Sequence, residues 1–352
     1  MMRVHTLAIA LASALLVLFL AARGPEKFSL PARTFLFTYQ LRIDKIPAGA
    51  QRVRVWIPCA VSDANQTVIL KNVDAPVHLA AMRDATFGNH ILYGELRRPQ
   101  DRSPEFTIEY QVTRREYSKG DLAHLEKAGA GEAAAPKMLA PFLAPDRLVP
   151  IDGRIKQMAD AITQGRRGVV AKAFALYDYV FRTVRYDKSG TGWGRGDSLW
   201  VCDAKHGNCT DFHSLFISLA RAEGIPARFE IGFPVPAGPE GNIPGYHCWA
   251  EFFVGGTGWV PVDISEAWKD PRKHDYFFGA LDANRVQFSV GRDLMLEPKQ
   301  DGSPLNFFIY PYVEVDGMPF ESIERNFAYR EVEENPAVRR TAARSLVRHS
   351  LM

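Results

Sequence analysis

The stretch Lys205–Arg228, KHGNCTDFHSLFISLARAEGIPAR, contains a cysteine where a polar, glycine-containing loop changes to an amphipathic helix. Apolar residues recur at the helical spacing and predict a helix from about Cys209 to Glu223, and Gly224 followed by Pro226 predicts its end. A cysteine at a helix start faces unpaired backbone N–H groups and the positive end of the helix dipole, which both favour the thiolate. Cys209 is therefore a candidate nucleophile, and a buried inert cysteine is the alternative.

A base on a neighbouring element would activate this thiol. An imidazole within hydrogen-bonding reach gives an activated ion pair, and His247 in the predicted strand GYHCWAEFF is the candidate. Strand alternation places Cys248 on the opposite face from His247. Asp263, in the predicted strand GWVPVDIS, lies among apolar residues, where a carboxylate is costly unless it is paired. A histidine N–H is a suitable partner, so we expect His247 and Asp263 to meet beside Cys209.

The order Cys209, His247, Asp263, with GNCTDFHSLFISLARAEGIPAR, GYHCWAEFF and GWVPVDIS around them, resembles the transglutaminase-like superfamily, in particular an exported bacterial subgroup. The resemblance covers about Arg154 to Ile264. It implies a papain-like Cys-His-Asp fold with a catalytic triad. Cys209 would be the nucleophile, His247 the general base and later the acid, and Asp263 the group that orients the imidazole and stabilises its cation.

The oxyanion site and the identity of the base leave alternatives open. The backbone N–H of Cys209 would help to bind the oxyanion, and some relatives add a tryptophan indole N–H. Trp193 and Trp200 are the candidates for that second donor, and both are also candidates for simple packing residues. His213, four residues after Cys209, is an alternative base without a carboxylate partner evident in the sequence. Asp211, in the first helical turn, is predicted to cap the helix rather than to carry a proton.

The reaction implied by this resemblance is acyl transfer from an amide through a thioester, as in a cysteine protease. The sequence lacks any sign of the calcium-gated apparatus of the animal crosslinking enzymes, which favours water as the acceptor and therefore a peptidase or amidase, a hydrolase. The alternatives are a protein-crosslinking acyltransferase and a catalytically silent envelope binding or assembly module. The expected partner is a protein or peptide substrate, and no cofactor is expected. A net charge of +3, from 43 basic and 40 acidic side chains, gives no reason to expect nucleic acid as a partner.

The cysteines do not indicate a metal site or a disulfide framework. A zinc site would have to use Cys202, Cys209, His247 or Cys248, but their spacing matches neither a C-x-x-C nor an H-x-x-x-H pattern. No metal is therefore expected. Four cysteines are too few for a disulfide scaffold in a chain of 352 residues. The pairing of Cys59, Cys202 and Cys248 stays open.

The N-terminus is typical of an exported protein. Arg3 precedes the run Thr6–Ala22, which contains no charged side chain, as in the n-region and h-region of a secretory segment. Residues 1–29 are therefore predicted to be a signal peptide or an N-terminal membrane anchor. We expect the protein in the periplasm, either soluble or anchored to the inner membrane by this segment.

The remaining pattern predicts an α+β protein. Alternating runs such as TFLFTYQLRI and EFTIEYQVTRRE predict an N-terminal antiparallel β domain, β-sandwich-like, over residues 33–117. The period then becomes helical in VVAKAFALYDYVFRTVRY, and further strands follow. Residues 150–330 are expected to form the transglutaminase-like, papain-like core, in which helices pack on an antiparallel sheet and strands follow at the C-terminal end. Residues 331–352 are expected to be a polar, basic tail.

Overall fold

The computed structural model describes residues 32–120, 122 and 137–332. The predicted signal or anchor segment 1–29 and most of the predicted tail 331–352 lie outside the described residues. Within the part that is described, no helix has both the length and the apolar character that a membrane crossing would need.

The first sheet joins strands from the two ends of the chain. Its five strands, numbered here in chain order, are β11 (Glu240–Asn242), β18 (Ile323–Glu331), β1 (Ala32–Ile43), β6 (Glu105–Arg115) and β3 (Gln66–Asp74), in that order across the sheet. All neighbours are antiparallel. The alternation predicted for β1 and β6 is present, because every second side chain along each strand is buried. Strand β18 was not predicted from the sequence, although β18 pairs with β1 over nine residue pairs.

A second antiparallel sheet also has five strands. Their order is β17 (Met318–Pro319), β16 (Tyr312–Val315), β2 (Arg52–Pro58), β5 (His90–Arg97) and β4 (Ala80–Arg83). β2, β4 and β5 lie within the range 33–117 that was predicted to be an antiparallel β domain, whereas the short strand β17 lies outside it.

The third sheet carries the candidate base. Its order is β13 (Gly258–Val262), β12 (His247–Val254), β10 (Ala227–Pro234) and β15 (Arg285–Val290), again antiparallel throughout. Nearly every residue of β12 is buried, so both of its faces are covered. Two small ladders complete the strands: β7 (Tyr117–Ser118) with β14 (Ala280–Leu281), and β8 (Arg185–Tyr186) with β9 (His206–Gly207).

The helices surround one central helix. They are α1 (Gly153–Thr163), α2 (Val169–Thr183), α3 (Ser198–Ala204), α4 (Cys209–Ala222) and α5 (Ile264–Lys269), with 3₁₀ turns at Lys137–Phe142 and Pro271–Lys273. α4 begins at the predicted cysteine and ends within one residue of the predicted end. It packs on β12 and β10 and contacts α1, α2 and α3 as well. Its polar residues are therefore buried together with its apolar stripe.

An aromatic cluster connects the first and third sheets. Phe37 of β1 contacts Phe233 of β10 at 5.3 Å and Phe288 of β15 at 5.5 Å between ring centroids, and Phe233 lies 4.4 Å from Phe327 of β18. Full burial of each such ring stabilises the fold by about 1.5–3 kcal/mol. The α+β class with helices packed on an antiparallel sheet is confirmed. The division into domains over 33–117 and 150–330 stays a prediction. The first two sheets each take strands from both ranges.

Candidate active site

Local capping holds Cys209 at the first position of α4. The Asn208 side chain accepts a hydrogen bond from the Thr210 N–H at 2.9 Å, and the Asp211 carboxylate accepts one from the Asn208 N–H at 2.9 Å. This reciprocal arrangement satisfies donors that a helix start otherwise leaves unpaired. The N–H of Cys209 has no acceptor within the helix, so it remains available to an oxyanion beside the sulfur.

Asp211 also ties the glycine-rich loop to this helix start. Its two carboxylate oxygens accept from the N–H groups of Gly194 at 2.6 Å and Gly196 at 3.0 Å. A side-chain carbon at Gly207 would collide with the Asp211 carboxylate, which explains the glycine there. The predicted capping role of Asp211 is confirmed by these contacts.

Asp263 lies at the end of β13 and is fully buried. Its Oδ2 is 2.7 Å from Nε2 of His247 and accepts from Nη1 of Arg285 at 2.8 Å. Its Oδ1 accepts from the hydroxyl of Ser265 and from the N–H of Glu266, so it also caps α5. Asp263 was predicted within a strand, but the strand ends at the preceding residue because the carboxylate starts the helix.

The side chains of Cys209 and His247 interact, since each shifts the pKa of the other toward the charged form. Burial disfavours a charged imidazole, but the charge and hydrogen bond of Asp263, followed by the contact with Cys209, raise the pKa of His247 to about 10. Burial likewise opposes the charge on Asp263, yet His247 and Arg285 hold its pKa well below the usual range. The site is therefore built to hold a charged imidazolium against a carboxylate.

Cys248 also lies near the candidate nucleophile. Its thiol lies 3.7 Å from Oγ1 of Thr210 and 3.8 Å from Nδ1 of His213, and it is near enough to Cys209 to shift the pKa of that thiol. Strand alternation predicted Cys248 on the face opposite to His247, and it was not foreseen from the sequence that this face turns toward α4 and brings Cys248 to Cys209. The influence of Cys248, together with that of His247, outweighs burial and lowers the pKa of Cys209 well below its usual range. Burial raises the pKa of Cys248, which keeps this thiol protonated.

The surroundings of His213 indicate a structural role. Its ring is fully buried, and its Nε2 accepts a hydrogen bond from the Ile264 N–H at 3.0 Å. Burial lowers the pKa of His213 to about 4, which keeps the imidazole neutral. Because Nε2 is already an acceptor for the backbone of α5, the ring links α4 to α5, and the geometry gives no support to His213 as the base.

The two tryptophans lie near the glycine loop. Trp200 of α3 packs edge-on against His206 at 5.3 Å, and its indole nitrogen borders Gly192. The ring of Trp193 lies 5.9 Å from Nζ of Lys188. Within the described parts of the chain, no hydrogen bond or ring contact joins either indole to Cys209. An oxyanion role for Trp193 or Trp200 stays a prediction.

Two further residues complete the site, and no sequence pattern pointed to them. Arg285 of β15 donates to Asp263 from 22 positions further along the chain, and its guanidinium lies 5.0 Å from the Trp249 ring centroid. The Tyr246 hydroxyl lies 2.9 Å from Oγ1 of Thr210 and accepts from Asn208 at 3.1 Å. Tyr246 therefore connects the start of β12 to the start of α4.

The cysteines form no disulfide. All four have free thiols, and Cys202 contacts the sulfur of Met158 at 3.6 Å instead. Among the residues that the structure describes, no group of three or more His, Cys, Asp or Glu side chains is arranged to hold a metal ion.

Residues 156–264 match the model of the transglutaminase-like superfamily. The match runs from α1 to the start of α5 and includes Cys209, His247 and Asp263. The resemblance seen in the sequence is thereby confirmed for this segment.

Similar proteins extend the comparison. An uncharacterized protein of Haemophilus influenzae is 32% identical over 212 residues, which are 51% of this chain and 58% of that protein. The uncharacterized protein YebA of Bacillus subtilis is 26% identical over 133 residues, 34% of this chain and 18% of that protein. The matched region thus spans less than two thirds of either relative. A crystal structure of a proposed cysteine protease from Cytophaga hutchinsonii shares the fold, with a TM-score of 0.58 at 16% identity over 88% of this chain and 93% of that one.

Proposed function

Since residues 156–264 form a transglutaminase-like domain, we propose that this protein is a cysteine-dependent peptidase or amidase that acts through a thioester on Cys209. The observation that carries the proposal is His247, which is hydrogen-bonded to the buried carboxylate of Asp263 at 2.7 Å and favours the thiolate of Cys209. A thiol, an imidazole and an orienting carboxylate in that order are the parts of a nucleophilic triad.

The first half-reaction forms the thioester. The Cys209 thiolate attacks the amide carbonyl carbon, and the oxyanion that develops is met by the N–H of Cys209 at the helix start. His247, charged and held by Asp263, gives its proton to the leaving nitrogen as the C–N bond breaks. The amine leaves, and the acyl group stays on the sulfur.

The second half-reaction releases the acid. His247, now neutral, takes a proton from a water molecule, whose oxygen attacks the thioester carbonyl. The C–S bond breaks, the carboxylic acid leaves, and the thiolate and the imidazolium are restored. Asp263 keeps its charge throughout and offsets the cation on His247 in both steps. Cys248 favours the negative charge on the Cys209 sulfur in the free enzyme.

Product analysis tests the proposal. A library of glutamine-containing peptides is incubated with the protein and an excess of a primary amine, and the products are identified by mass spectrometry. We expect cleaved or deamidated peptide, and none with Cys209→Ala. Cys202→Ala is the matched control, since that cysteine is buried against Met158 and should leave the products unchanged.

Amine-linked peptide as the main product, lost in Cys209→Ala, would replace the hydrolase with a crosslinking acyltransferase and leave the triad standing. Wild-type protein that gives no product while its Cys209 shows ordinary thiol reactivity would favour a silent binding module instead.

The proposed place of action is the periplasm, with a protein or peptide of the cell envelope as substrate. The uncharged run Thr6–Ala22 after Arg3 supports this placement. A reporter fused after Ser29 should be active only outside the cytoplasm, and activity only inside it would refute export. N-terminal sequencing of the exported protein then shows whether the segment is removed or retained as an anchor.

A further inference from the structure

A cavity of about 400 Å³ lies on the face of the third sheet that turns away from α4. Trp249 and Glu251 of β12 line it, whereas Cys248 and Phe252, at the alternating positions, pack against α4. Cys209, His247 and Asp263 are not among the residues that line it. The cavity is therefore separate from the proposed triad, and its size is within the range of small-molecule sites.

The guanidinium of Arg114 is the unusual group in this cavity. Arg114, at the end of β6, is only 2% exposed, yet its Nε has no hydrogen-bond partner. Its side chain makes one long hydrogen bond, 3.5 Å from Nη1 to Oε1 of Gln66. In the described ranges no carboxylate lies within 4.0 Å of it. Asp63, Glu251 and Glu230 lie near enough to favour its charge, but none of them pairs with the guanidinium. A buried N–H without an acceptor is costly, so this position indicates that a hydrogen-bond acceptor belongs beside Nε.

The positive charge of the other arginine in the cavity, Arg228, is compensated. Arg228 lies 2.7 Å from Oε2 of Glu251 and 2.8 Å from Oε1 of Glu230, and it stacks 4.2 Å over the Trp259 ring. Glu230 is 3% exposed and its Oε1 accepts no hydrogen bond. Burial above all raises the pKa of Glu230 to about 8, and the charge of Arg228 opposes this rise. The pocket thus presents the Arg114 guanidinium, whose Nε–H is unpaired, beside a second arginine whose charge is already compensated.

We propose that this cavity is a binding site for a small molecule that carries a carboxylate, with the Arg114 guanidinium as its anchor. The fork of an arginine matches the two oxygens of a carboxylate, and burial strengthens such charge-assisted hydrogen bonds. The body of the ligand lies against aromatic walls supplied by Phe87, Trp249, Trp259 and Phe288. The carboxylate comes either from a free organic acid or from the C-terminus of a short peptide.

Titration calorimetry on the full-length protein tests this site, with benzoate and its neutral isostere benzamide as probes. We expect benzoate to bind saturably and benzamide to bind at least about tenfold more weakly. A tenfold difference in affinity is about 1.4 kcal/mol of binding free energy. Glycyl-phenylalanine against its C-terminal amide separates the two sources of carboxylate. Binding of benzoate alone assigns a free acid, and binding of the dipeptide but not its amide assigns a peptide C-terminus.

Arg114→Gln should weaken the binding of benzoate about tenfold or more. Arg115→Gln is the matched control, because Arg115 is exposed on the next position of the same strand and points to the other face. Cys209→Ala should bind benzoate as the wild type does, whatever the outcome for the proposed activity. If Arg114→Gln does not fold, the comparison of benzoate with benzamide on the wild type still tests the proposed carboxylate site.

The proposal is overturned if neither benzoate nor the dipeptide binds saturably, or if benzoate and benzamide bind equally. It is also overturned if inorganic phosphate binds as tightly as benzoate, or if folded Arg114→Gln keeps wild-type affinity. Loss of benzoate binding in Cys209→Ala would assign the probe to the thiol site and refute the separate cavity.

Discussion

Asp263→Asn should destabilise the fold more than an ordinary isosteric change, because it leaves a buried cation without its partner. Arg285 is 2% exposed and donates to Asp263 at 2.8 Å, and its next acidic neighbour is Asp282 at 3.4 Å. Removal of one member of a buried ion pair costs about 3–5 kcal/mol. A typical domain is stable by only about 5–15 kcal/mol, so this loss is a large fraction of the whole.

The double variant isolates that cost. Arg285→Met removes the cation and keeps an apolar side chain of similar length, so Asp263→Asn/Arg285→Met should recover at least half of the lost stability. The activity should not recover, since the neutral amide no longer stabilises the His247 cation. Urea unfolding, followed by circular dichroism at pH 7, measures stability, and product formation from peptide substrate measures activity.

Asp270→Asn is the control, because Asp270 pairs with the exposed Arg272 at the surface, where an ion pair contributes little. A loss in Asp263→Asn no larger than in this control would refute the reasoning. So would a double variant that is less stable than Asp263→Asn alone, since Arg285 would then stabilise the fold through something other than the carboxylate.

Three further predictions concern the thiol and the imidazole. Iodoacetamide should alkylate Cys209 in the folded protein with a pH midpoint below the ordinary thiol value of about 8.5. Cys248→Ala should move that midpoint upward, because Cys248 helps to lower the pKa of Cys209. A midpoint at or above the ordinary value would contradict the nucleophile assignment. His247→Gln should abolish turnover and keep a native circular dichroism spectrum, whereas residual turnover near the wild-type rate would show that another group is the base. Since the pKa of His247 rises from 6.5 to about 10 on folding, its stabilising contribution is complete below about 6.5 and is lost as pH rises through 10. The free energy of unfolding in urea should therefore fall between pH 6.5 and 10 more steeply for the wild type than for His247→Gln. Parallel dependence of the two proteins on pH would exclude the ion pair.

The central helix and the order of the triad were predictable because their signals are local. The period of apolar residues, the cap at Asn208 and the stop at Gly224 all lie within a few positions of the helix ends, and α4 runs from Cys209 to Ala222 as a result. The alternation in β1 and β12 is local in the same sense, since the side-chain direction in a strand follows from residue parity. These features follow from backbone geometry and need no partner.

The contacts that tune the site depend on sheet register and on packing, which no local pattern encodes. Arg285 reaches Asp263 because β15 lies beside β10 in the third sheet, and β18 pairs with β1 although nearly the whole chain separates them. Cys248 comes close to Cys209 because the start of α4 packs on the start of β12. The unpaired Nε of Arg114 likewise appears only when β6 is placed against the third sheet. Sequence therefore determined which residues have the chemistry, and tertiary structure decided which charges and donors they face.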